Sequence, residues 1–486
     1  MIEEYYIDYV FNKIKEGEML RLYRYRNAEQ MLKFKEIEKK NMFFAPSNMQ
    51  NDPMEGISDI IWNGDYIAWK NLFKNYCMNL TQAILFHGIA TCCDDGECYN
   101  TIKVIKSGFI RKSPYYYKLC QAASQFVDNE YVELFLNYML DRDVRQYELI
   151  TILKCVHPLA LQVALENIYS EREQYPIEID KLLKLYDYRD VEQHLTNKNK
   201  DSMQVELSFQ NISSFFEGLR IGGICRCSDS HTTSKEIEAI LFIVRSYSNH
   251  YVNEISRWCL PNYFMTCFSK SCENSSMWGY YASAHKGICL IYDIPDDNQE
   301  LEVKTPPAFG IPFGEKKKLK FYDVDYQKRL VKIDFFSNCL KIMQLKDELK
   351  NDWIFDESGN KSKSFAKTIN DKDGWCKDYE RLAISIATRK DEDWKHEEEM
   401  RLILPDYWKD EICSAGAAIE YDFSKLVGII FGINTQEEVK VEIIQALKSL
   451  KNLNGNFQFY QGYYNYINGK ISKIKIPITE SFKEKE

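Results

Sequence analysis

The sequence has no apolar run approaching the roughly 20 residues that span a bilayer. The stretch from Leu426 to Ile433, LVGIIFGI, has about the length of a buried strand instead. The N-terminus, MIEEYYIDYV, carries acidic residues where a secretory signal would carry basic and then apolar ones. These absences predict a protein that does not cross a membrane and that works in the cytoplasm.

Zinc-binding spacings are also missing. The 15 cysteines are scattered along the chain. Cys225 and Cys227 are separated by one residue, and Cys92, Cys93 and Cys98 follow His87, but neither group has the two-residue spacing of a structural zinc site. We therefore expect reduced, mostly buried thiols and no metal site.

The charge balance is acidic. A net charge of -9 argues against broad electrostatic attraction to nucleic acid. No nucleotide-binding glycine pattern, heptad array or fixed repeat stands out between residues 65 and 250. The composition, with 45% hydrophobic and 28% charged residues, is that of a folded protein.

Periodicity divides the chain into three parts. Residues 1–64 read as strand, helix, short strand and turn, and residues 65–250 have the apolar spacing of helices. Residues 251–486 return to mixed strands and helices. The pattern predicts an α+β fold with a mixed or antiparallel sheet core, whose N- and C-terminal parts are split by a large helical insertion or accessory domain.

The clearest local pattern begins with a strand from Phe264 to Ser269. Asn274, Ser275 or Ser276 can cap a following helix, in which Trp278, Tyr281, Ala282 and His285 recur at helical spacing. Gly287 suits the helix end, and residues 288–294 read as the next strand.

A second pattern is the run WKHEEEMRLIL at residues 394–404. If it is a strand, Glu397, Glu399 and Arg401 share one face, and Glu398, Met400, Leu402 and Leu404 share the other. One face then belongs to the core, while the other is a charged stripe. That stripe is either a solvated surface or the wall of a site.

Five side chains could together serve glycosyl chemistry. Arg24 and Arg26 on the first strand can hold an anion, and the Ser269 hydroxyl can orient a substrate. The carboxylates of Glu397 and Glu399 can stabilise developing positive charge. Cleavage of an N-glycosidic bond in a phosphorylated substrate requires these groups, because its transition state resembles an oxocarbenium ion.

Four motifs stand out along the chain: LYRYRN near the start, NDPME at 51–55, TCFSKS…SMWGYYASAHKGICLIYD at 266–293, and Lys390 through Arg401. In these motifs the sequence resembles a widespread bacterial family known only as domain of unknown function 2971. The resemblance covers roughly residues 20–60 and 260–435, and the helical part between them has no counterpart in the family pattern.

The family's motif order is similar to the arginine–serine–glutamate layout of ADP-ribosyltransferases. The resemblance implies that Arg24 or Arg26 holds NAD, that Ser269 or Ser271 orients the nicotinamide ribose, and that Glu399 binds its 2'-hydroxyl. Glu397 would position or activate the acceptor.

Two aromatic residues, Trp278 and Tyr281, are candidates to contact the cofactor. Their shared stripe with Ala282 is also typical of core residues. His285, near the helix end, has the position of a hydrogen-bonded structural histidine.

The resemblance implies an NAD-dependent ADP-ribosyltransferase or NAD glycohydrolase, with NAD as substrate. Enzymes of this kind commonly serve as toxins or phage-defence effectors. A protein or nucleic acid could be the acceptor, and the insertion could select a target or restrain the activity through a regulatory partner.

Two other functions stay open. One is a non-enzymatic sensor that binds a nucleotide or a partner, with the stripe as its interface. The other is a metal-dependent nuclease using Asp52, Glu55 and the two stripe glutamates. Separately, Arg401 could neutralise Glu399 across the strand face, which would make the stripe a structural ion network.

Overall fold

The computed structural model describes residues 19–52, 54–90, 114–169, 242–304, 315–344, 347–366, 370–405, 416–450 and 457–477, together with residues 210, 211, 214, 217 and 218. The chain divides into two compact units. Unit 1 comprises Met1–Ile57, Pro261–Val331 and Arg381–Glu486, and unit 2 comprises Ser58–Leu260 and Lys332–Glu380.

The described strands, in chain order, are β1 (Met19–Arg26), β2 (Asn41–Pro46), β3 (Asp59–Trp62), β4 (Val144–Arg145), β5 (Tyr263–Ser269), β6 (Ile288–Pro295), β7 (Glu300–Lys304), β8 (Lys316–Asp323), β9 (Asp325–Tyr326), β10 (Lys332–Asp334), β11 (Arg389–Lys390), β12 (Glu399–Pro405), β13 (Ala417–Tyr421), β14 (Leu426–Phe431), β15 (Gln458–Asn465) and β16 (Lys470–Lys475). The α-helices are α1 (Ala28–Phe34), α2 (Tyr66–Ala90), α3 (Pro114–Val127), α4 (Glu130–Tyr138), α5 (Gln146–Ile168), α6 (Tyr247–Ser256), α7 (Ser275–Tyr281), α8 (Phe335–Asn338), α9 (Leu340–Met343), α10 (Asp347–Ile354), α11 (Lys372–Thr388) and α12 (Glu437–Lys448).

Unit 1 is built on one large sheet with the strand order β12-β8-β7-β13-β2-β5-β1-β6-β14-β15-β16. Strand β12 also pairs with β5, which closes the first six strands into a ring. The pairings are antiparallel except for β14 with β15. The predicted α+β class with a mixed or antiparallel sheet is therefore confirmed.

The core of unit 1 follows from alternation along the central strands. Leu22 on β1, Leu290 on β6 and Leu402 on β12 all belong to one buried cluster. Successive strand residues point to opposite faces, so the residues between them are free to form a second surface. That second surface carries the candidate site.

The segment after β5 is a capped helix, as predicted, but a shorter one. The Asn274 side chain accepts a hydrogen bond from the Ser276 N–H and starts α7, which ends at Tyr281. Ser283 and His285 have positive φ angles of 50° and 67°, so the helix cannot continue to His285. The predicted helical position of His285 is wrong.

Unit 2 combines the helices of the central part with a piece of later sequence. Ile333 on β10 pairs in parallel with Ile60 on β3, and Phe335 stacks on Trp62 with ring centroids 5.7 Å apart. Unit 2 therefore begins near residue 58 and also contains Lys332–Glu380, which differs from the boundaries expected at residues 65 and 250. Strand β10 and the helix α8 after it contact β3, which lies far away in the sequence. Local periodicity does not reveal such a distant partner.

One described helix, α5, is long and apolar enough to cross a membrane by length and composition alone. The most apolar window of this helix is 83% buried inside the protein. A buried core helix meets the same criteria, so this observation is weak evidence for a membrane span.

Candidate functional site

The glutamate-rich segment does not form one continuous strand. Strand β12 begins at Glu399, whereas Glu397 ends a 3-10 helix over Glu392–Glu397. Glu398 between them is exposed and has a left-handed φ of 45°. The predicted strand is therefore wrong at residues 397 and 398, while Met400 and Leu402 lie in the core as expected.

The charged side of this segment is buried. Lys390 on β11 donates to both glutamates, with Nζ 2.6 Å from Glu397 Oε2 and 3.0 Å from Glu399 Oε2. The Lys390 Nζ also lies 5.0 Å from the centroid of the Trp394 ring. The two glutamates are 2% and 4% exposed, so the stripe is not a solvated surface.

Arg401 continues the ion cluster from the same face of β12. The Arg401 Nε donates to Glu399 Oε1 at 2.9 Å, and its Nη2 contacts Glu55 Oε1. The third donor, Nη1, binds the Ala387 carbonyl at 2.6 Å. Arg401 is fully buried, and with all three nitrogens occupied it holds Glu55 and Glu399 side by side.

Two tyrosines fix the glutamates from other elements. The Tyr281 hydroxyl, at the end of α7, donates to Glu397 Oε1 at 2.7 Å. The Glu399 backbone N–H donates to the Tyr326 hydroxyl at 2.7 Å. Both carboxylates are thus oriented by several elements of unit 1.

A small pocket opens onto this ion cluster. Its cavity has a volume of about 60 Å³, which is room for a few water molecules. The lining residues are Tyr23, Tyr25, Gln50, Asn51, Glu55, Cys267, Phe268, Ser269, Met277, Tyr281, Lys390, Glu397 and Glu399.

The two carboxylates joined by Arg401 differ in acidity. Burial raises the pKa of Glu55 to about 7, although Arg401 opposes the shift. Burial also disfavours the ionised form of Glu399, but Arg401 and Lys390 outweigh it and lower the pKa to about 2. Neighbouring carboxyl groups whose pKa values are driven apart are typical of acid–base sites.

The thiol in the pocket is not activated. Burial and the nearby Glu399 raise the pKa of Cys267, so it stays protonated at neutral pH. The pocket therefore offers carboxylates and tyrosine hydroxyls for chemistry.

Of the two candidate serines, Ser269 lines the pocket and Ser271 does not, and the hydrogen bonds of both are local. The Ser269 hydroxyl donates to the Glu397 carbonyl at 2.7 Å and accepts from the Ser271 N–H at 3.1 Å. The Ser271 hydroxyl accepts from the Glu273 N–H. Ser269 thus positions the segment that carries Glu397.

The two aromatic candidates have different positions. Trp278 is fully buried, and its Nε1–H donates to the Cys272 carbonyl, so it is a core residue. Tyr281 is half-buried and lines the pocket. Only Tyr281 is placed to meet a ligand there.

The structure does not bring Arg24 and Arg26 to this pocket. Both face away from Tyr23 and Tyr25, the residues of β1 that line the pocket, because neighbouring strand residues alternate between faces. Arg26 Nε donates to Glu36 at 3.2 Å, and Arg24 lies 3.8 Å from the same carboxylate. The expected convergence of these arginines with Ser269 and Glu399 is wrong.

Two residues of the ion cluster were missed as site candidates. Lys390 lies in a charge-rich stretch that is typical of solvated surface, and Glu55 was considered only as a metal ligand. One sequence signal points to both residues, because each lies inside a motif that carries the family resemblance. Glu55 ends NDPME, and Lys390 begins the motif that runs to Arg401.

The potential metal ligands of the described residues are dispersed. Within the ranges that the structure describes, no group of three or more His, Cys, Asp or Glu side chains is arranged to hold a metal ion. Cys92, Cys93, Cys98, Cys225 and Cys227 lie outside these ranges.

Fold and site together define an α+β protein. Its main sheet carries a pocket that is lined by buried charged side chains. Residues 277–402 match the model of a family described as protein of unknown function, DUF2971. The predicted resemblance to this family is confirmed over that stretch, which includes Tyr281, Lys390, Glu399 and Arg401. No curated protein and no solved structure matches the chain.

Proposed function

We propose that the protein is an enzyme that cleaves the N-glycosidic bond of NAD, as an NAD glycohydrolase or an ADP-ribosyltransferase. The observation that carries the proposal is the pair Glu55 and Glu399, held by Arg401 on the wall of one pocket with pKa values of about 7 and about 2. One carboxylate is suited to exchange a proton at neutral pH, and the other stays ionised.

The reaction assigns a separate role to each carboxylate. As the bond from the ribose C1' to the nicotinamide nitrogen breaks, its electron pair leaves with neutral nicotinamide, and Glu399 stabilises the positive charge on the sugar. Water or an acceptor hydroxyl then bonds to C1', and Glu55 takes its proton. Glu397, fixed by Tyr281 and Lys390, helps to position the acceptor.

Substrate entry requires a change at the pocket mouth. A cavity of about 60 Å³ is far smaller than the several hundred Å³ of a typical organic ligand site. Asn51 is an exposed lining residue whose side chain can move, whereas Tyr281 must first release its hydrogen bond to Glu397. With Arg24 and Arg26 on the other face, the phosphates of NAD would be bound by residues other than those arginines.

The first test is release of nicotinamide from NAD by the purified protein. The assay is run with water alone, with total cell RNA and with lysate protein as acceptors. Release in water alone identifies a glycohydrolase, and release that requires one macromolecule identifies the acceptor class. An activity of this kind belongs in the cytoplasm, where expression should deplete NAD and slow growth, as expected of a toxin or phage-defence effector.

A second candidate is a non-enzymatic module that binds a nucleotide or a partner. It is favoured by one observation: Lys390 and Arg401 already neutralise Glu397 and Glu399 at a small cavity. This candidate predicts no turnover under any acceptor condition. A metal-dependent nuclease would instead lose activity in chelator, which NAD cleavage should tolerate.

A further inference from the structure

We propose that unit 2 contains a separate binding site for a small uncharged molecule with an amide-like edge, in which an N–H donor lies beside a C=O or ring-nitrogen acceptor. Nucleobases and carboxamides share this edge. The site is a cavity of about 370 Å³ between helices α2, α3 and the end of α10. Organic ligands commonly occupy sites of roughly 300–1,000 Å³, so this cavity has room for a heteroaromatic ring.

Each wall of the cavity is one face of a helix. Asn71, Lys74, Asn75 and Met78 recur on α2 at the three- and four-residue spacing that places side chains on one side. On α3, Tyr116, Cys120, Ala123 and Ser124 do the same. The third side is closed by the end of α10 and the residues after it, namely Trp353, Phe355, Asp356 and Glu357.

Asn71 offers a hydrogen-bond acceptor to the cavity. Its Nδ2 donates to the carbonyls of Trp353 and Phe355, both at 3.0 Å, which fixes the orientation of the amide. Among the residues that the structure describes, none donates to the Asn71 Oδ1. Asn71 is 4% exposed and lines the cavity, so this oxygen can accept a hydrogen bond from a ligand there.

Asn75, one helical turn later, offers the complementary donor. Its Oδ1 accepts from the Tyr251 hydroxyl at 2.7 Å and from Asn79 Nδ2 at 3.0 Å. No acceptor for the Asn75 Nδ2 occurs in the part of the chain described. The residue is 7% exposed. An acceptor and a donor that are nine-tenths buried therefore lie side by side on one wall.

The charged groups of the cavity already have partners. Lys74 is ion-paired with Glu357 at the rim, and Asp356 accepts from Ser358 N and Asn360 N in its own turn. The two amides are the buried neutral polar groups of the lining, and Met78 and Ala123 add apolar surface. A neutral ligand with an amide-like edge satisfies both amides, whereas an ion would disturb these pairs.

The test is isothermal titration of the full-length protein with nicotinamide, adenine and uracil. N,N-Dimethylnicotinamide is the comparison ligand, because it keeps the ring and carbonyl but lacks the amide N–H. We expect at least one of the three compounds to bind, and the one that binds identifies a carboxamide or a nucleobase as the ligand. If nicotinamide binds, the dimethyl compound should bind about tenfold more weakly or worse, the effect of one lost hydrogen bond.

Two variants locate the site. Asn75→Asp keeps the oxygen that holds Tyr251 but removes the donor, and it should weaken binding about tenfold. Ser124→Trp places a large ring at an exposed position of the wall and should abolish binding, whereas Gln121→Trp, exposed on the same helix but outside the cavity, should not. Melting curves confirm that each variant is folded.

The site in unit 2 does not depend on NAD cleavage in unit 1. Glu399→Gln should leave this binding unchanged, which separates it from product binding at the ionic pocket. The proposal is overturned if none of the three compounds binds at about 1 mM. It is also overturned if binding survives both Asn75→Asp and Ser124→Trp.

Discussion

Lys390 and Glu399 form a buried ion pair, with Nζ 3.0 Å from Oε2 and each side chain 4% exposed. Burial alone would lower the pKa of Lys390, but Glu399 and Glu55 outweigh it and raise the pKa above its usual range. The lysine is therefore a permanent cation, and together with Arg401 it keeps Glu399 ionised. The fold depends on this lysine as much as the proposed chemistry does.

Replacing Lys390 with methionine should strongly destabilise unit 1. The change leaves two buried carboxylates without their shared cation, and breaking a buried pair from one side costs about 3–5 kcal/mol. Denaturant unfolding measures the effect. Lys395→Met, an exposed neighbour in the same segment, is the matched control and should change stability little. Equal stability of the two variants would contradict a central role for Lys390.

Glu55 should make the protein less stable as the pH rises toward neutrality. Its pKa is about 7 in the folded protein, against an ordinary value of 4.5. Between these values the folded state holds a proton that the unfolded chain has released, so the free energy of unfolding falls as the pH rises through about 7. Glu399 has the opposite sign, because its lowered pKa gives stability that is lost as the pH falls from 4.5 toward 2.

The variant Glu55→Gln isolates the first of these effects. It should flatten the decline in unfolding free energy between about pH 4.5 and 7, a decline of a few kcal/mol at most. Glu38→Gln changes an exposed glutamate of the same unit and should retain the wild-type slope. A slope that Glu55→Gln leaves intact would rule out Glu55 as the group with the raised pKa.

Arg26 tests the part of the resemblance that the structure does not support. Arg26→Gln should destabilise the protein by about 1–3 kcal/mol, because buried Glu36 loses hydrogen bonds. It should leave the KM for NAD unchanged, since Arg26 lies away from the pocket. Arg21→Gln, on the same strand and paired with Asp293 at the surface, is the control for stability. A large rise in KM would return Arg26 to the site.

Much of the fold could be predicted because it depends on patterns within short stretches of the sequence. In strand β12, Met400 and Leu402 point toward the core, and Glu399 and Arg401 lie on the other face. The two-residue period of a strand predicts this division from the sequence alone. Asn274 is a residue type that commonly caps helices, and it indicates the start of α7. Such features need no knowledge of distant partners.

The site was only partly predictable because it depends on distant pairing. Nothing near Glu55 in the sequence shows that its partner is Arg401, 346 positions later. The motif order assigns Arg26 to the ligand, but Arg26 contacts Glu36 and lies on the face of β1 away from the pocket. The left-handed turn at Glu398, which separates a 3-10 helix from a strand, also has no periodic signature.

The most direct measurement is nicotinamide release from NAD by the wild type, Glu399→Gln and Glu398→Gln under the same acceptor conditions. Glu398 is exposed and adjacent, so its variant carries the same chemical change outside the pocket. We predict that Glu399→Gln lowers the rate about 100-fold or more while the protein stays folded, and that Glu398→Gln keeps the wild-type rate. Release that is equal in all three proteins, or absent from the wild type with every acceptor, would contradict the account.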